Sequence, residues 1–257
     1  MTNRQRLHLI EVYLRDHRYA DLHTLAARFS ISLSTVRRAL DDLEEKGILR
    51  RHHGGASLVE TDALTREHDF MARDLHHTVE KQAIARLVAS QVQPGMSVIL
   101  DGGSTTYAVA RLLAAKRIQV ITNSLPIAGL FSEIGGGDTL VTGGSIYGRL
   151  GVLVGLLCEQ SFEQSHADVA ILGGAGITAA GVWNFNALIV AAQRRMIAAA
   201  DRTIFVLDNS KFGRKALSLT TGFGARFTIV TDTRPVPEVA RAIHAAGAKL
   251  TLTDGNR

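Results

Sequence analysis

Apolar positions at the start of the chain recur at helical intervals and then give way to a shorter period. Leu7, Ile10 and Leu14 share one face of a first helix. A second helix begins after Asp21, a side chain suited to an N-cap, and buries Leu22, Leu25 and Ala26 ahead of Phe29. Ser30-Ile31-Ser32 makes a tight connection, and Ser32 caps a third helix. There Val36, Ala39, Leu40 and Leu43 occupy about one third of the circumference, while Ser34, Arg37, Arg38 and Asp41 point the other way. Gly47 ends that helix as a glycine C-cap. Ile48 to His53 read as a short strand that Gly54-Gly55 turns back into Ala56–Val59. Three helices and a hairpin predict a winged helix-turn-helix over residues 1–58.

Residues 59–77 are polar and charge-rich, with few apolar anchors, and read as a linker and lead-in helix. A larger domain is expected over 78–257. Ile84, Leu87 and Val88 repeat helically until Pro94-Gly95 stops the helix. Apolar strands then alternate with amphipathic helices: Ser97–Leu100, Gln119–Ile121, Thr139–Val141, Val169–Leu172, Thr203–Leu207, Phe227–Val230 and Leu250–Leu252. That alternation predicts an α/β domain with a mostly parallel sheet. No repeat of fixed period and no low-complexity tract interrupts it.

Several of these strands run into small polar or glycine-rich loops, which converge on one crevice in open α/β sheets. Asp101-Gly102-Gly103-Ser104-Thr105-Thr106 is the strongest of them. Its glycines permit close backbone approach, its hydroxyls donate, and a helix N-terminus follows, a combination suited to phosphate. It lacks the Gly-Lys-Ser/Thr ending of a nucleotide-binding P-loop and the spacing of a dinucleotide fingerprint. Asn123 and Ser124, Gly144, Gly173, and Lys211 beside Asp208 lie on further loops of this kind. Lys211 offers the cation that a bound phosphate requires.

Composition narrows the class. The chain has 257 residues, 46% hydrophobic and 21% charged, as expected of a globular protein. No apolar run is long enough to span a membrane. The N-terminus has positive charge without an apolar stretch behind it, so no secretory signal is expected. A single cysteine, Cys158, fits a reducing cytoplasm. Net charge is +5, and residues 1–57 hold ten Lys/Arg against seven Asp/Glu. The positive excess is therefore denser in the small N-terminal module, as a nucleic-acid footprint requires.

On the third helix, Ser32, Ser34, Thr35, Arg37 and Arg38 stand where a recognition helix meets a duplex. Arg50, Arg51 and His53 lie on the wing. A metal site built on His52-His53 lacks further ligands at usable spacing, and no metal or cofactor is expected. Ser34-Thr-Val-Arg-Arg-Ala-Leu40 followed by Gly47-Ile-Leu-Arg-Arg-His-His-Gly-Gly-Ala56 resembles the DNA-binding domain of DeoR-type bacterial regulators. Ala39 departs from the family, which usually places aspartate after the paired arginines. The resemblance continues through Glu80-Lys81, Asp101–Thr106, Thr122-Asn-Ser-Leu-Pro126, Gly143-Gly144, Asp168 with Leu172-Gly173, and Asp208-Asn-Ser-Lys-Phe-Gly213. It implies a sensor domain folded like ribose-5-phosphate isomerases. It also implies a phosphorylated-sugar effector lined by Ser104, Thr105, Thr106, Asn123, Ser124 and Lys211. A second departure is the apolar run Val182–Ala192, in which Trp183 is read as core packing rather than a sugar platform.

Three functions compete. An isomerase needs a base carboxylate over the sugar carbons. Gly173-Gly-Ala-Gly176 has no adjacent lysine, and Asn186 to Ala200 contains no Asp or Glu, which argues against catalysis. A constitutive DNA-binding protein with a non-sensing domain is the second reading. The expectation adopted is a DNA-binding regulator, a repressor of sugar-catabolic genes modulated by a sugar phosphate. It is expected to be homo-oligomeric, cytoplasmic, and bound to double-stranded operator rather than to membrane.

Overall fold

A computed structural model describes residues 3–253, except 18, 46–47, 53, 59–69, 71–72, 74–75, 136 and 149. The chain divides into two compact units, residues 1–66 and 67–257.

The smaller unit contains α1 (Asn3–His17), β1 (Tyr19–Asp21), α2 (Leu22–Phe29), α3 (Leu33–Glu45), β2 (Leu49–His52) and β3 (Gly55–Leu58). Asp21 caps α2 by accepting from the Thr24 amide at 2.9 Å. Ser30 ends α2 in the left-handed region (φ 52°), its amide returning to the carbonyls of Ala26 and Ala27. That reversal is the turn between the two helices. Ile10, Leu14, Leu25, Val36, Leu40, Leu43, Leu49 and Ala56 close the core behind it. The expected hairpin is present, but its sheet has a third strand, in the order β1-β3-β2. Gly55 makes room for β1, because a Cβ there would lie 2.5 Å from the Ala20 carbonyl oxygen. The expected C-cap at Gly47 and the strand ends at His53 and Val59 lie outside the described residues.

The larger unit is built on a seven-stranded sheet in the order β15-β14-β12-β9-β4-β5-β6, with every adjacent pair parallel. Its strands are β4 (Ser97–Leu100), β5 (Gln119–Thr122), β6 (Thr139–Val141), β9 (Ala167–Leu172), β12 (Ala200–Val206), β14 (Phe227–Thr231) and β15 (Lys249–Leu252). All seven expected strands are there, some a residue or more longer. Alternate residues serve opposite faces. Val98, Leu100, Val169 and Ile171 meet α4 (Thr78–Ala89), α5 (Ser104–Leu113) and α6 (Leu125–Ile134). Ile99, Ala170, Leu172 and Phe205 meet α7 (Leu156–Glu163), α8 (Ala187–Ala198) and α9 (Pro237–Ala245). Burial on both faces is what makes these strands continuous apolar runs.

Four short strands were not anticipated: the hairpin β7 (Ser145–Tyr147) with β8 (Val152–Val154), and β10 (Gly176–Thr178) with β11 (Gly181–Asn184). β11 also pairs with β13 (Ser218–Thr221), a fifth addition. The apolar run at 182–192 therefore splits into a strand and a capped helix. Asn186 accepts from the amides of Leu188 and Ile189 to start α8. Trp183 is half-buried on β11, and its indole N–H donates to the Thr178 hydroxyl at 2.9 Å. Within the lead-in segment, Phe70 is buried against Leu150, Val152, Val154 and Ile189. The larger unit thus begins ahead of the expected boundary at 78.

Candidate DNA-reading surface and effector site

The reading surface is organised by Ser32. Its hydroxyl accepts from the Thr35 amide at 3.2 Å and pairs with the hydroxyls of Thr35 (2.8 Å) and Ser34 (2.9 Å). This ordered polar cluster sits on the first turn of α3, where backbone N–H groups favour anions. Val36, Ala39, Leu40 and Leu43 are buried, so Arg37 and Arg38 face outward and exposed. Arg50 is exposed on β2.

Arg51 is placed differently. Its guanidinium forms an ion pair with Asp41, and its amide donates to Glu44 Oε1 at 2.8 Å. It therefore ties the wing to α3, with Asp41 on the outward face as its partner, rather than standing free for phosphate. His52 Nε2 bonds the Ser57 hydroxyl at 2.6 Å across the hairpin. His53 lies outside the described residues.

The second site follows from strand order. β4, β9 and β12 are neighbours, and their C-terminal ends lead into Asp101, Gly173 and Leu207-Asp208. Asp101 is buried and accepts three hydrogen bonds: from the Gly102 amide (2.8 Å), the Gly173 amide (3.2 Å) and Gln193 Nε2 (2.7 Å). Burial pushes its carboxyl above the ordinary aspartate range; these donors and the Arg73 guanidinium pull in the opposite direction. Gly103 precedes α5 without supplying a side-chain cap. Ser104, Thr105 and Thr106 are buried on the first turn, and the Thr106 hydroxyl has no hydrogen-bond partner. A Cβ on Gly103 would lie 4.0 Å from an Arg73 guanidinium nitrogen and 3.8 Å from that hydroxyl. A Cβ on Gly173 would lie 3.6 Å from the same hydroxyl. Loop, helix start and cation thus share one small space.

Beside it, Asp208 is buried, with one carboxylate oxygen bonded to the Ser210 amide at 3.1 Å and the other without a partner. Burial opposes its ionisation. The Ser210 hydroxyl and the charges of Lys211, His77 and Lys81 outweigh that, holding the carboxyl below its usual range. Lys81 is itself buried, and its ammonium donates to the carbonyls of His76 (2.6 Å) and Arg73. It fixes the lead-in segment so that Arg73 reaches Asp101.

Of the anticipated residues, Asp101 to Thr106 and Gly173 come together, and Lys211 joins Lys81 and His77 at Asp208. Ser124 is more structural than expected, whereas Asn123 keeps a buried side-chain oxygen without a hydrogen-bond partner. The Asn123 amide donates to the Leu153 carbonyl at 2.9 Å, and the Ser124 hydroxyl caps α6. Gly144 (φ 127°) is demanded by packing, since a Cβ would lie 2.5 Å from the Val154 carbonyl oxygen. Sequence reasoning missed Arg73 and Gln193. The Gln193 side chain is fully buried and saturated. It donates to Asp101 and to the Gly173 carbonyl (3.1 Å), and accepts from Asn184 (3.2 Å) and Thr220 (3.1 Å).

A winged-helix module with an outward arginine pair, joined to a parallel α/β domain holding a buried polar crevice, defines a two-part DNA-binding regulator. The family description "DeoR-like helix-turn-helix domain" matches residues 6–62, and "DeoR C terminal sensor domain" matches residues 76–233. The glycerol-3-phosphate regulon repressor of Escherichia coli is 31% identical over 245 residues, 95% of this chain and 96% of that protein. The transcriptional repressor AccR of Agrobacterium fabrum is 35% identical over 222 residues, 85% of each. Ribose 5-phosphate isomerase A of Neisseria gonorrhoeae is similar over 51% of this chain and 52% of its own, with 16% identity and a TM-score of 0.37. So distant a likeness decides nothing about function. The chain belongs to the DeoR family of transcriptional regulators, and it is a DNA-binding regulator rather than an enzyme.

Proposed function

We propose that this regulator is a cytoplasmic repressor of sugar-catabolic genes whose grip on its operator is set by a phosphorylated sugar bound at Asp101–Thr106. One observation carries the reading: the α5 N-terminus, without a side-chain cap, opens beside the Arg73 guanidinium and the partnerless Thr106 hydroxyl. Backbone N–H groups at a helix start and a guanidinium are the donors a phosphate takes up, and a sugar hydroxyl satisfies an orphaned threonine. Lys211 adds positive charge at the neighbouring Asp208. The Escherichia coli relative, a glycerol-3-phosphate regulon repressor, is in keeping with a small phosphorylated polyol. Two copies of the chain bound to double-stranded operator would present two recognition helices to two half-sites. The effector acts only if it binds the DNA-competent and DNA-incompetent arrangements with different affinity.

The test is a thermal-shift screen of phosphorylated sugars followed by operator titration. A ligand at one hundred times its Kd stabilises the folded chain by about 2.7 kcal/mol. That ligand should also change operator affinity, and Lys211→Ala should blunt the response while leaving effector-free operator binding intact. If no phosphorylated sugar moves either the thermal midpoint or the operator Kd, the reading fails.

A further inference from the structure

The β6 end of the sheet carries an apolar surface that the site above does not use. Leu140 and Val141 on β6, Ile146 on β7, and Leu156 and Leu157 on the first turn of α7 are between 42% and 70% exposed. Leu140, in register with Ile121, lies on the α7 side of the sheet and adjoins the hairpin and the start of α7, whereas Val141, in register with Thr122, lies on the opposite side of this edge. A Cβ on Gly143 would lie 3.3 Å from the Leu157 Cβ, so the turn between β6 and β7 rests on the start of α7. The Thr142 hydroxyl reaches Cys158 Sγ at 3.5 Å from the same turn. β7 pairs with β8, which passes through Gly155 directly into Leu156. β6 ends the strand order, with β5 on its inner side.

The stretch is also nearly free of charge. From Thr139 to Cys158 the only ionised side chain is Arg149. Nucleic acid needs Lys and Arg and does not suit such a surface, whereas interface cores are depleted in charge. The four on the α7 side expose on the order of 400 Å², a size at which an apolar patch on a monomer is often functional. Two such patches face to face bury about 800 Å² from these side chains alone, most of the roughly 1,000 Å² at which a specific interface becomes credible.

We propose that the β6 edge, the β7–β8 hairpin and the first turn of α7 form a twofold interface with a second copy of this chain. A neutral aliphatic patch is complementary to itself about a twofold axis, because each side chain meets another of its kind and no charge is left facing a like charge. Each chain also carries one recognition helix, so a twofold pair supplies the two that a two-half-site operator takes. The inference rests on the two-copy part of the proposed function and gives it a face. Its test reads mass, so it stands or falls independently of the effector.

The full-length chain should show at least twice 27.7 kDa by light scattering after gel filtration. Leu156→Asp/Leu157→Glu should halve the wild-type mass with unchanged circular dichroism, since acidic residues are welcome in a helix's first turn. Ile146→Glu, on the hairpin and clear of the helix, should shift the mass the same way and covers the case in which the double variant does not fold. Leu217→Glu, an exposed leucine outside this surface, should keep the wild-type mass. A wild type that runs as a single chain overturns the proposal. So does an unchanged mass in the folded interface variants, or full dissociation by Leu217→Glu.

Discussion

The two units hold their chemistry in opposite ways. In the small unit, the arginines that would meet DNA are exposed, sit on one amphipathic helix and need only that the helix form. In the larger unit, Asp101, Thr106, Asp208 and Lys81 are buried, and Asp101 depends on groups far away in sequence. Asp101 and Gln193 are 92 residues apart and 2.7 Å in contact. Water screens a surface arginine, so its removal scarcely disturbs the fold. A buried carboxylate left without donors is expensive everywhere. Binding and stability should therefore be separable in the first unit and fused in the second.

The largest effect expected is at Gln193. Gln193→Leu removes one of three donors to Asp101 and strands Asn184 and Thr220 in the interior. A loss of about 3 kcal/mol in unfolding free energy is expected, from a buried carboxyl short of a donor and two unsatisfied polar groups. Urea denaturation reads it directly. A variant within about 0.5 kcal/mol of wild type, the spread of ordinary surface changes, would erase the contrast between the units.

Arg37 and Arg38 supply the opposite test. Arg37→Ala or Arg38→Ala should weaken operator binding by about 1–3 kcal/mol if the guanidinium forks onto a base edge. The urea midpoint should stay at the wild-type value, because both side chains are exposed. Operator titration at two salt concentrations separates a base contact from a phosphate contact, since only the latter flattens the salt slope. Intact operator affinity in both variants would remove α3 from the groove.

That asymmetry also explains how much could be read from the chain alone. Helix periodicity and capping are local, so α1 to α3, Asp21 and Ser32 were legible, as were the seven strands of the large sheet, of which the inner five are buried on both sides. β1 escaped because three residues carry no pattern; its only trace is Gly55, a glycine needed for close approach rather than for a turn. Arg51 read as a free cation because its partner Asp41 is ten residues away. Gln193 looked like one polar residue on an apolar helix, and nothing local distinguishes a saturated hub from a solvated side chain. Arg73 lay in a segment whose polarity suggested a linker. Buried Phe70 was the missed signal that this segment joins the larger unit.

The smallest effect, and the finest division, is expected at Asp168. It lies at the opposite end of β9 from the candidate site, and its carboxylate accepts from the Ser97 amide (2.7 Å) and hydroxyl (2.8 Å). The Ser97 amide first, then its hydroxyl, holds this carboxyl below the ordinary aspartate value. A depressed carboxyl adds stability above its unfolded value, near 3.8, and loses it as pH falls through the folded one. The group is exposed, so screening limits the contribution to about 1 kcal/mol, that of a typical net hydrogen bond. Asp168→Asn should therefore cost about that much at neutral pH and progressively less in acid. Effector and operator affinities should stay unchanged, because nothing connects this end of the strand to the loop at its other end. Urea midpoints of both proteins across the acid range check it. A deficit that stays constant as the carboxyl protonates would mean that shape, not charge, holds β4 to β9 there.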